Sequence, residues 1–257
     1  MFKVGGHRPD PLDQKFKDFD RATLAPHINP GDVDLRPFSS PRHNQRQTST
    51  CVAQSTIKAL EIKRIQKHGI ENHIPLSVMD LYFGARDLMD PKETNIDKGT
   101  FIYLACEVMK RFGVCREIMN PFKESNLFTP TSILASREAF MNKIVDSFKL
   151  NSSGNDRIDD VIMNLQVGNP IVFATQVGDN WFNYNENSAP LGLESNQKGG
   201  HAICIVGYID GKFIIENSWG NNWGHDGFAY LQPEVIASDD SVDFWSIADG
   251  SEVWYEK

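Results

Sequence analysis

The sequence predicts an α+β chain of two lobes, a helical half followed by an antiparallel-sheet half, meeting at a cleft. Three observations carry this. Apolar residues recur at mostly helical spacing from Cys51 to Ile65, from Pro75 to Leu88 and from Phe101 to Phe112. From Pro170 the period changes, and Ile171-Val172-Phe173-Ala174 reads as a buried strand with further strand-like runs after it. Asp210-Gly211, between two of those runs, is a tight hairpin signal. The helical lobe is expected over about 34–125 and the sheet lobe over about 126–257, after an arm of residues 1–33.

The arm is polar, with prolines at 9, 11, 26 and 30, and reads as extended with at most a short helix around Asp13 to Arg21. A Ser/Thr-rich loop, Asn44 to Thr50, then runs into Cys51, and the apolar pattern behind it stops at Gly69. Cys51 therefore sits in the first turn of a helix. Unpaired backbone N–H groups and the positive end of the helix dipole there favour a thiolate, which a nucleophilic cysteine needs at neutral pH. Taken alone, Cys51 reads better as a small apolar anchor of a core helix, as most free cysteines are. Asp97-Lys98-Gly99-Thr100 separates the next two helices as a turn and helix cap.

Pro121 to Ser132 is rich in breakers and marks the crossing between lobes. Helices from about Ile133 to Phe148 and Ile158 to Leu165 are expected next. After the Ile171 strand, Gly178 to Gly200 is a long polar insertion holding Trp181, Phe182 and Tyr184. Strands are expected at Ala202 to Tyr208, Lys212 to Glu216 and Gly227 to Leu231, with Phe244 to Ala248 as a closing strand.

Composition excludes several classes. Apolar residues make up 40% and charged residues 23% of the 257 positions, an ordinary globular balance with ample core for two lobes. The net charge of −8 and the lack of a basic stripe argue against nucleic acid as a partner. No stretch approaches the ~20 apolar residues of a membrane span, and the first residues lack the apolar run of a signal peptide.

His201 lies 150 positions after Cys51, in Gly199-Gly200-His201-Ala202, and Asn217 follows in Asn217-Ser218-Trp219-Gly220-Asn221-Asn222-Trp223-Gly224. Each has a plainer reading alone: a satisfied histidine, a turn asparagine, core tryptophans. Together, a cysteine with His and Asn roughly 130–150 residues downstream has the spacing of the papain-like proteases. The Gly-His-Ala and Asn-Ser-Trp-Gly segments, Asp34-Leu35-Arg36, and Gly113-Val114-Cys115 with Asn120-Pro121-Phe122 all resemble the papain-like cysteine peptidases.

The resemblance implies a papain-like two-lobe fold, with a helical N-terminal lobe and an antiparallel sheet or barrel C-terminal lobe. It implies a cysteine peptidase acting on peptide or protein substrates without a cofactor or metal. Cys51 would be the nucleophile and His201 its acid/base partner, Asn217 would orient the ring under Trp219, and Gln45 would furnish the oxyanion hole. Ser49, Thr50, Gly99, Thr100, Val172, Gly200, Ala202 and Trp219 would line the substrate cleft. The same residues leave open a catalytically silent binding module and a thiol-dependent acyl transferase.

The pattern departs from the family's Cys-Gly-Ser/Ala-Cys-Trp/Tyr, since this chain has Thr48-Ser49-Thr50-Cys51-Val52. Ser49 stands where a glycine lies against substrate, so a narrowed cleft or unusual backbone is expected there. Thr48 replaces a cysteine that forms a disulfide in secreted relatives. With only Cys51, Cys106, Cys115 and Cys204 present, no structural disulfide is expected, and a cytoplasmic location, or export without a cleavable signal, is the simpler expectation. The arm is shorter than family propeptides and is expected not to plug the cleft. Gly178 to Gly200, hinged at Gly199-Gly200, is the expected cover, with a plain surface loop as the alternative.

Overall fold

The computed structural model describes residues 2–21 and 31–249, with helix α1 (Cys51–His68) packed on nearly every side. Fourteen of its 18 residues are buried, among them Lys58, Glu61 and Arg64. A helix buried all round needs partners for its polar side chains. Lys58 Nζ donates to the Ser40 and Pro41 carbonyls at 3.0 Å and meets Glu216 at 3.1 Å, while Arg64 donates to Asn142 at 2.8 Å. These bonds tie the helix to the loop before it and to the sheet lobe.

Helices α2 (Val78–Met89) and α3 (Ile102–Arg111) pack on α1 and on each other, close to the expected spans. The Ser77 side chain caps α2 by accepting from the Asp80 N–H at 3.0 Å. Helix α4 (Ile133–Ala139) is shorter than expected. A 3₁₀ turn, Phe140–Asn142, ends it, and Asp146–Leu150 forms strand β2 instead of helix. Pairing with a neighbouring strand from Asp146↔Ala248 to Leu150↔Phe244 outweighs local helix preference there. Helix α5 (Gly154–Gln166) follows, longer than expected at both ends.

The sheet contains β1 (Val33–Asp34), β2, β3 (Ile171–Gly178), β4 (Gln197–Ile209), β5 (Lys212–Glu216), β6 (Phe228–Leu231) and β7 (Ser241–Ala248), all paired antiparallel. Its order is β2-β7-β3-β4-β5-β6, with β1 added to β4. The sheet is open, so the barrel alternative does not hold, and β7 lies between β2 and β3 instead of closing a ring. The β4–β5 turn is the expected Asp210-Gly211, both with positive φ (48° and 74°).

The Gly178 to Gly200 insertion is built into this sheet. Helix α6 (Asp179–Phe182) opens it, residues 197–200 belong to β4, and Trp181, Tyr184 and Leu191 are buried. Trp223 Nε1 donates to the Trp181 carbonyl at 2.7 Å, and the Tyr230 N–H donates to Tyr184 Oη at 3.1 Å. Trp181 and Tyr184 are thus core residues and do not hang over the cleft. Residues 13–20 of the arm are not helical. The Phe19 N–H donates to the Lys149 carbonyl at 3.0 Å, so this part of the arm runs along β2.

Candidate active site

Cys51 is the first residue of α1, at the end of a loop held from both lobes. The Gln45 N–H donates to the Ser218 carbonyl at 2.8 Å, and Ser218 Oγ donates to Gln45 Oε1 at 2.7 Å. That bond fixes the amide so that Gln45 Nε2 points back across the loop, donating to the Thr48 carbonyl at 2.9 Å. Asp97 braces the loop from the other side, accepting from the Ser49 N–H with both oxygens at 3.0 Å. Ser49 Oγ donates to the Asp97 carbonyl, and Ser49 is not among the residues with positive φ, so the serine fits without the strained backbone expected for it.

His201 lies on β4 and Asn217 just beyond β5. Asn217 Oδ1 accepts from the Ser218 N–H at 2.8 Å, which identifies that atom as oxygen, and it lies 2.8 Å from His201 Nε2. Nε2 must therefore carry the proton and donate. Nδ1 is left as a bare base, buried with no hydrogen-bond partner. Trp219 stacks on the imidazole at 4.8 Å between ring centres and shields this bond from water. The backbone N–H of Ala202, the residue after His201, reaches the Cys51 thiol and pulls its pKa down.

The first residues of the chain lie along the same cleft, contrary to the expectation that the arm is too short to plug it. Phe2 stacks on Trp219 at 4.5 Å, and the Lys3 carbonyl accepts from Gln45 Nε2 at 3.2 Å. The Gly5 N–H donates to the Gly200 carbonyl at 2.9 Å, and the Gly6 carbonyl accepts from the Thr100 N–H at 3.0 Å. The Arg8 N–H then donates to the Thr100 carbonyl at 2.9 Å. An extended arm needs no helical bulk to fill a cleft, because its backbone pairs with both walls. A Cβ built on Gly6 would lie 2.5 Å from the Ser49 carbonyl oxygen and 2.8 Å from Cys51 Sγ, so only glycine passes the thiol.

This cover sets the electrostatics. Cys51 and His201 have no solvent exposure. Burial pushes the Cys51 thiol up to about 11 against the pull of nearby backbone N–H groups, and it pushes His201 down to about 4 despite the bond to Asn217. In place of the thiolate expected at Cys51, burial therefore favours a neutral thiol beside a neutral imidazole in this conformation, because neither charge is solvated.

The other expected cleft residues divide. Gly99, Thr100, Gly200 and Trp219 contact the arm directly, and a Cβ on Gly99 would lie 2.0 Å from the Gly6 carbonyl oxygen. Ser49 offers its carbonyl and Ala202 its N–H. Thr50 turns its hydroxyl inward to Thr48 Oγ1 at 2.8 Å. Val172 is a core residue paired with Cys204 and Trp245 within the sheet. It lies two residues from Ala174, which pairs with Ala202 at the level of the site, a strand step of about 7 Å. Sequence reasoning missed the arm, Asp97, the Ser218 brace and Asp243, which accepts from His7 Nε2 at 2.9 Å. The adjacent Gly5-Gly6 pair was the one local signal that the arm approaches another backbone closely.

Cys51, Cys106, Cys115 and Cys204 are all free. Among the described residues no cluster of His, Cys, Asp or Glu is arranged to hold a metal ion, and no helix is long and apolar enough to cross a membrane.

Comparison with known proteins places this geometry. The papain family cysteine protease model matches residues 29–241. An uncharacterised peptidase C1-like protein of Acanthamoeba polyphaga mimivirus is 28% identical over 246 residues, covering 88% of this chain and 77% of its own. Macrodontain-1 of Ananas macrodontes is 24% identical over 222 residues, covering 81% and 92%. Among solved structures, xylellain, a cysteine protease from Xylella fastidiosa, superimposes with a TM-score of 0.83 at 27% identity, over 96% of this chain and 97% of its own. With the family model matched across most of the chain and the fold shared over 96% of it, the chain belongs to the papain family of cysteine proteases and is a papain-like cysteine peptidase.

Proposed function

We propose that the chain hydrolyses peptide bonds through a thioester on Cys51, with His201 as acid and base, Asn217 orienting the ring and Gln45 donating to the oxyanion. The observation that carries this reading is the fixed tautomer of His201. Its Nε2–H is committed to Asn217, and its Nδ1 is bare beside a strand whose next N–H reaches the thiol. Nδ1 takes the thiol proton, the thiolate attacks the carbonyl carbon, and the C–O electrons move onto oxygen. The Gln45 Nε2–H and the Cys51 N–H stabilise that oxygen. Collapse breaks the C–N bond as Nδ1–H gives its proton to the leaving amine. Water then attacks the thioester, losing its proton to Nδ1, and the acid departs as the thiol is restored.

The polarity of the bound arm supports a resting, closed form of such an enzyme. The leaving amine must lie near His201, on the Trp219 side, so a substrate enters with its N-terminal end toward Thr100. The arm runs the other way, from Phe2 at Trp219 to Arg8 at Thr100. It fills the cleft without presenting a carbonyl in the productive direction.

The test uses the full-length chain with Gly6→Ala, which crowds the arm out, alongside the same protein carrying Cys51→Ala. Hydrolysis of a fluorogenic peptide by the first and not the second is expected. Equal turnover by both would remove Cys51 from the chemistry. Repeating the assay with an added amine acceptor separates hydrolysis from acyl transfer: the proposal requires acid as the main product.

A further inference from the structure

The loop that ends at Cys51 and the rim that holds the arm's backbone are joined through the side chain of Asp97. The rim is Gly99-Thr100, and Thr100 gives both its N–H and its carbonyl to the arm, a pair that an extended substrate can use in the arm's place. The Gly99 N–H donates to Tyr82 Oη at 3.0 Å, and Tyr82 Oη donates in turn to Asp97 Oδ1 at 2.7 Å. The hydroxyl's single proton must point at Asp97, since its other neighbour, the Gly99 N–H, is itself a donor. Burial, then the charge of Asp97, pushes the Tyr82 pKa up and keeps that proton in place. From the other side Asp97 takes the Ser49 N–H on both oxygens at 3.0 Å, and its own carbonyl accepts from Ser49 Oγ at 3.2 Å. A glycine at position 49 could make the first of these contacts but not the second.

The far end of this network is anchored. Tyr82 lies on α2 with no solvent exposure, and the equally buried Arg86 guanidinium sits 4.1 Å from the centre of its ring. Arg86 Nη1 donates to the Thr94 and Ile96 carbonyls, both at 2.9 Å, and Nη2 donates to the Leu127 carbonyl. The chain is thereby tied to α2 one residue before Asp97. Ser49 is two positions from Cys51, so what fixes Ser49 also fixes the Cys51 N–H and Sγ. The rim places a substrate's backbone, and the loop places the atom that attacks it. A misplacement of about 1 Å between the two is enough to cost roughly 10²-fold in rate.

Resting on the peptidase reading above, we infer that Asp97 is a positioning residue for the nucleophile: it holds residues 49–51 at a set distance from the substrate-binding rim, and its contribution falls on the bond-forming step. The same carboxylate opposes ionisation of the thiol, because its negative charge lies close to Cys51. His201 stands on the strand whose Ala202 N–H reaches the thiol, and in the closed form His7 of the arm acts on His201. Tyr82 and Arg86, both on α2, act on Asp97 itself. Asp97 therefore supplies a brace and a charge, and two substitutions separate them. Asp97→Asn loses the charge but keeps an oxygen able to accept from both the Ser49 N–H and Tyr82 Oη. Asp97→Ala loses brace and charge together.

The experiment uses the full-length Gly6→Ala protein as parent and a fluorogenic peptide. Asp97→Ala should lower kcat about 10- to 100-fold with KM within about threefold, because the rim keeps its own bond to Tyr82. Asp97→Asn should recover most of that loss, to within about threefold of the parent, the size of one weakened hydrogen bond. Tyr82→Phe should lower kcat less than Asp97→Ala and add nothing to it, since Tyr82 acts on the nucleophile through Asp97. In both Asp97 variants the pH limb of Cys51 alkylation by iodoacetamide should move to lower pH, a shift that a residue serving only to stabilise the fold would not produce. An Asp97→Ala kcat near the parent's, a loss in Asp97→Asn as large as in Asp97→Ala, or an alkylation limb that stays or moves up overturns the proposal. Amide exchange at Ser49 separates this from the chemistry: it should quicken in Asp97→Ala and not in Asp97→Asn, whether or not peptide is cut. That exchange pattern with no cleavage by the parent sustains the brace and sinks the peptidase reading, whereas cleavage with Ser49 exchange unchanged in Asp97→Ala overturns the brace alone.

Discussion

Replacing Gly6 with alanine puts a methyl group where the arm passes closest to the thiol, 2.5 Å from the Ser49 carbonyl oxygen and 2.8 Å from Cys51 Sγ. Neither neighbour is free to yield, because Ser49 is held by Asp97 and Cys51 begins a buried helix. The arm must lift. The bonds nearest the new methyl are Gly5 N–H to the Gly200 carbonyl and Thr100 N–H to the Gly6 carbonyl. At about 0.5–1.5 kcal/mol net for each bond, losing both weakens the closed state by about 1–3 kcal/mol. The open population then rises about 5- to 150-fold. Peptide turnover and iodoacetamide alkylation of Cys51 should both rise within that range on the full-length protein. Gly6 has no positive φ, so backbone strain does not confuse the result. Unchanged or lower rates, with the fold intact by circular dichroism, would refute the arm as the closing element.

Four further outcomes follow from the same geometry. In the unmodified chain, burial holds the thiol up to about 11 and His201 down to about 4, so ultraviolet thiolate absorbance should be absent at neutral pH and emerge only in strong alkali. A neutral-pH thiolate in that closed protein would contradict the burial argument. In the Gly6→Ala background, Gln45→Ala should lower kcat about 10²- to 10³-fold, and Asn217→Ala should cost less than Cys51→Ala; a Gln45→Ala rate near the parent's would remove the oxyanion role. Glu61 is pushed up by burial, but the bond from His43 and the charges of His43, Lys58 and His73 outweigh this and hold it near 2. Its stabilisation is thus present above the ordinary glutamate pKa and lost as pH falls toward 2, and Glu61→Gln should flatten the acid arm of a denaturation series. Shortening Asn185 to Asn196 removes buried Leu191 and Glu194, whose carboxylate accepts from the Asn180 and Asn196 N–H groups. The shortened protein should melt earlier and show no selective gain for large substrates.

The helices and hairpin were legible because their signals are local. Gly69 ends α1 and Asp210-Gly211 turns β4 into β5, each within a few residues of the cue. The Cys51, His201 and Asn217 set was legible from the segments around it. What escaped depends on partners distant in sequence. Asp146 to Phe148 reads as the end of a helix until β7 is available to pair with it. Trp181 and Tyr184 look like a cover until Trp223 and Tyr230 are seen to bond them. Asp243 is invisible as a site residue because alternation along β7 is broken by a bulge no local pattern announces. The arm was misjudged on length. A helical plug needs many residues, but an extended chain of about nine spans some 30 Å and can cross the cleft by backbone bonds alone.

The most direct measurement is intact-mass and peptide mapping of the full-length protein after exposure to a peptidyl epoxide, compared between the unmodified chain and Gly6→Ala. A single adduct on Cys51 is expected, forming faster in Gly6→Ala by about the same 5- to 150-fold factor and absent when Cys51→Ala is added. An adduct on Cys106, Cys115 or Cys204, or labelling of Cys51 at the same rate with and without the Gly6 substitution, would contradict the account.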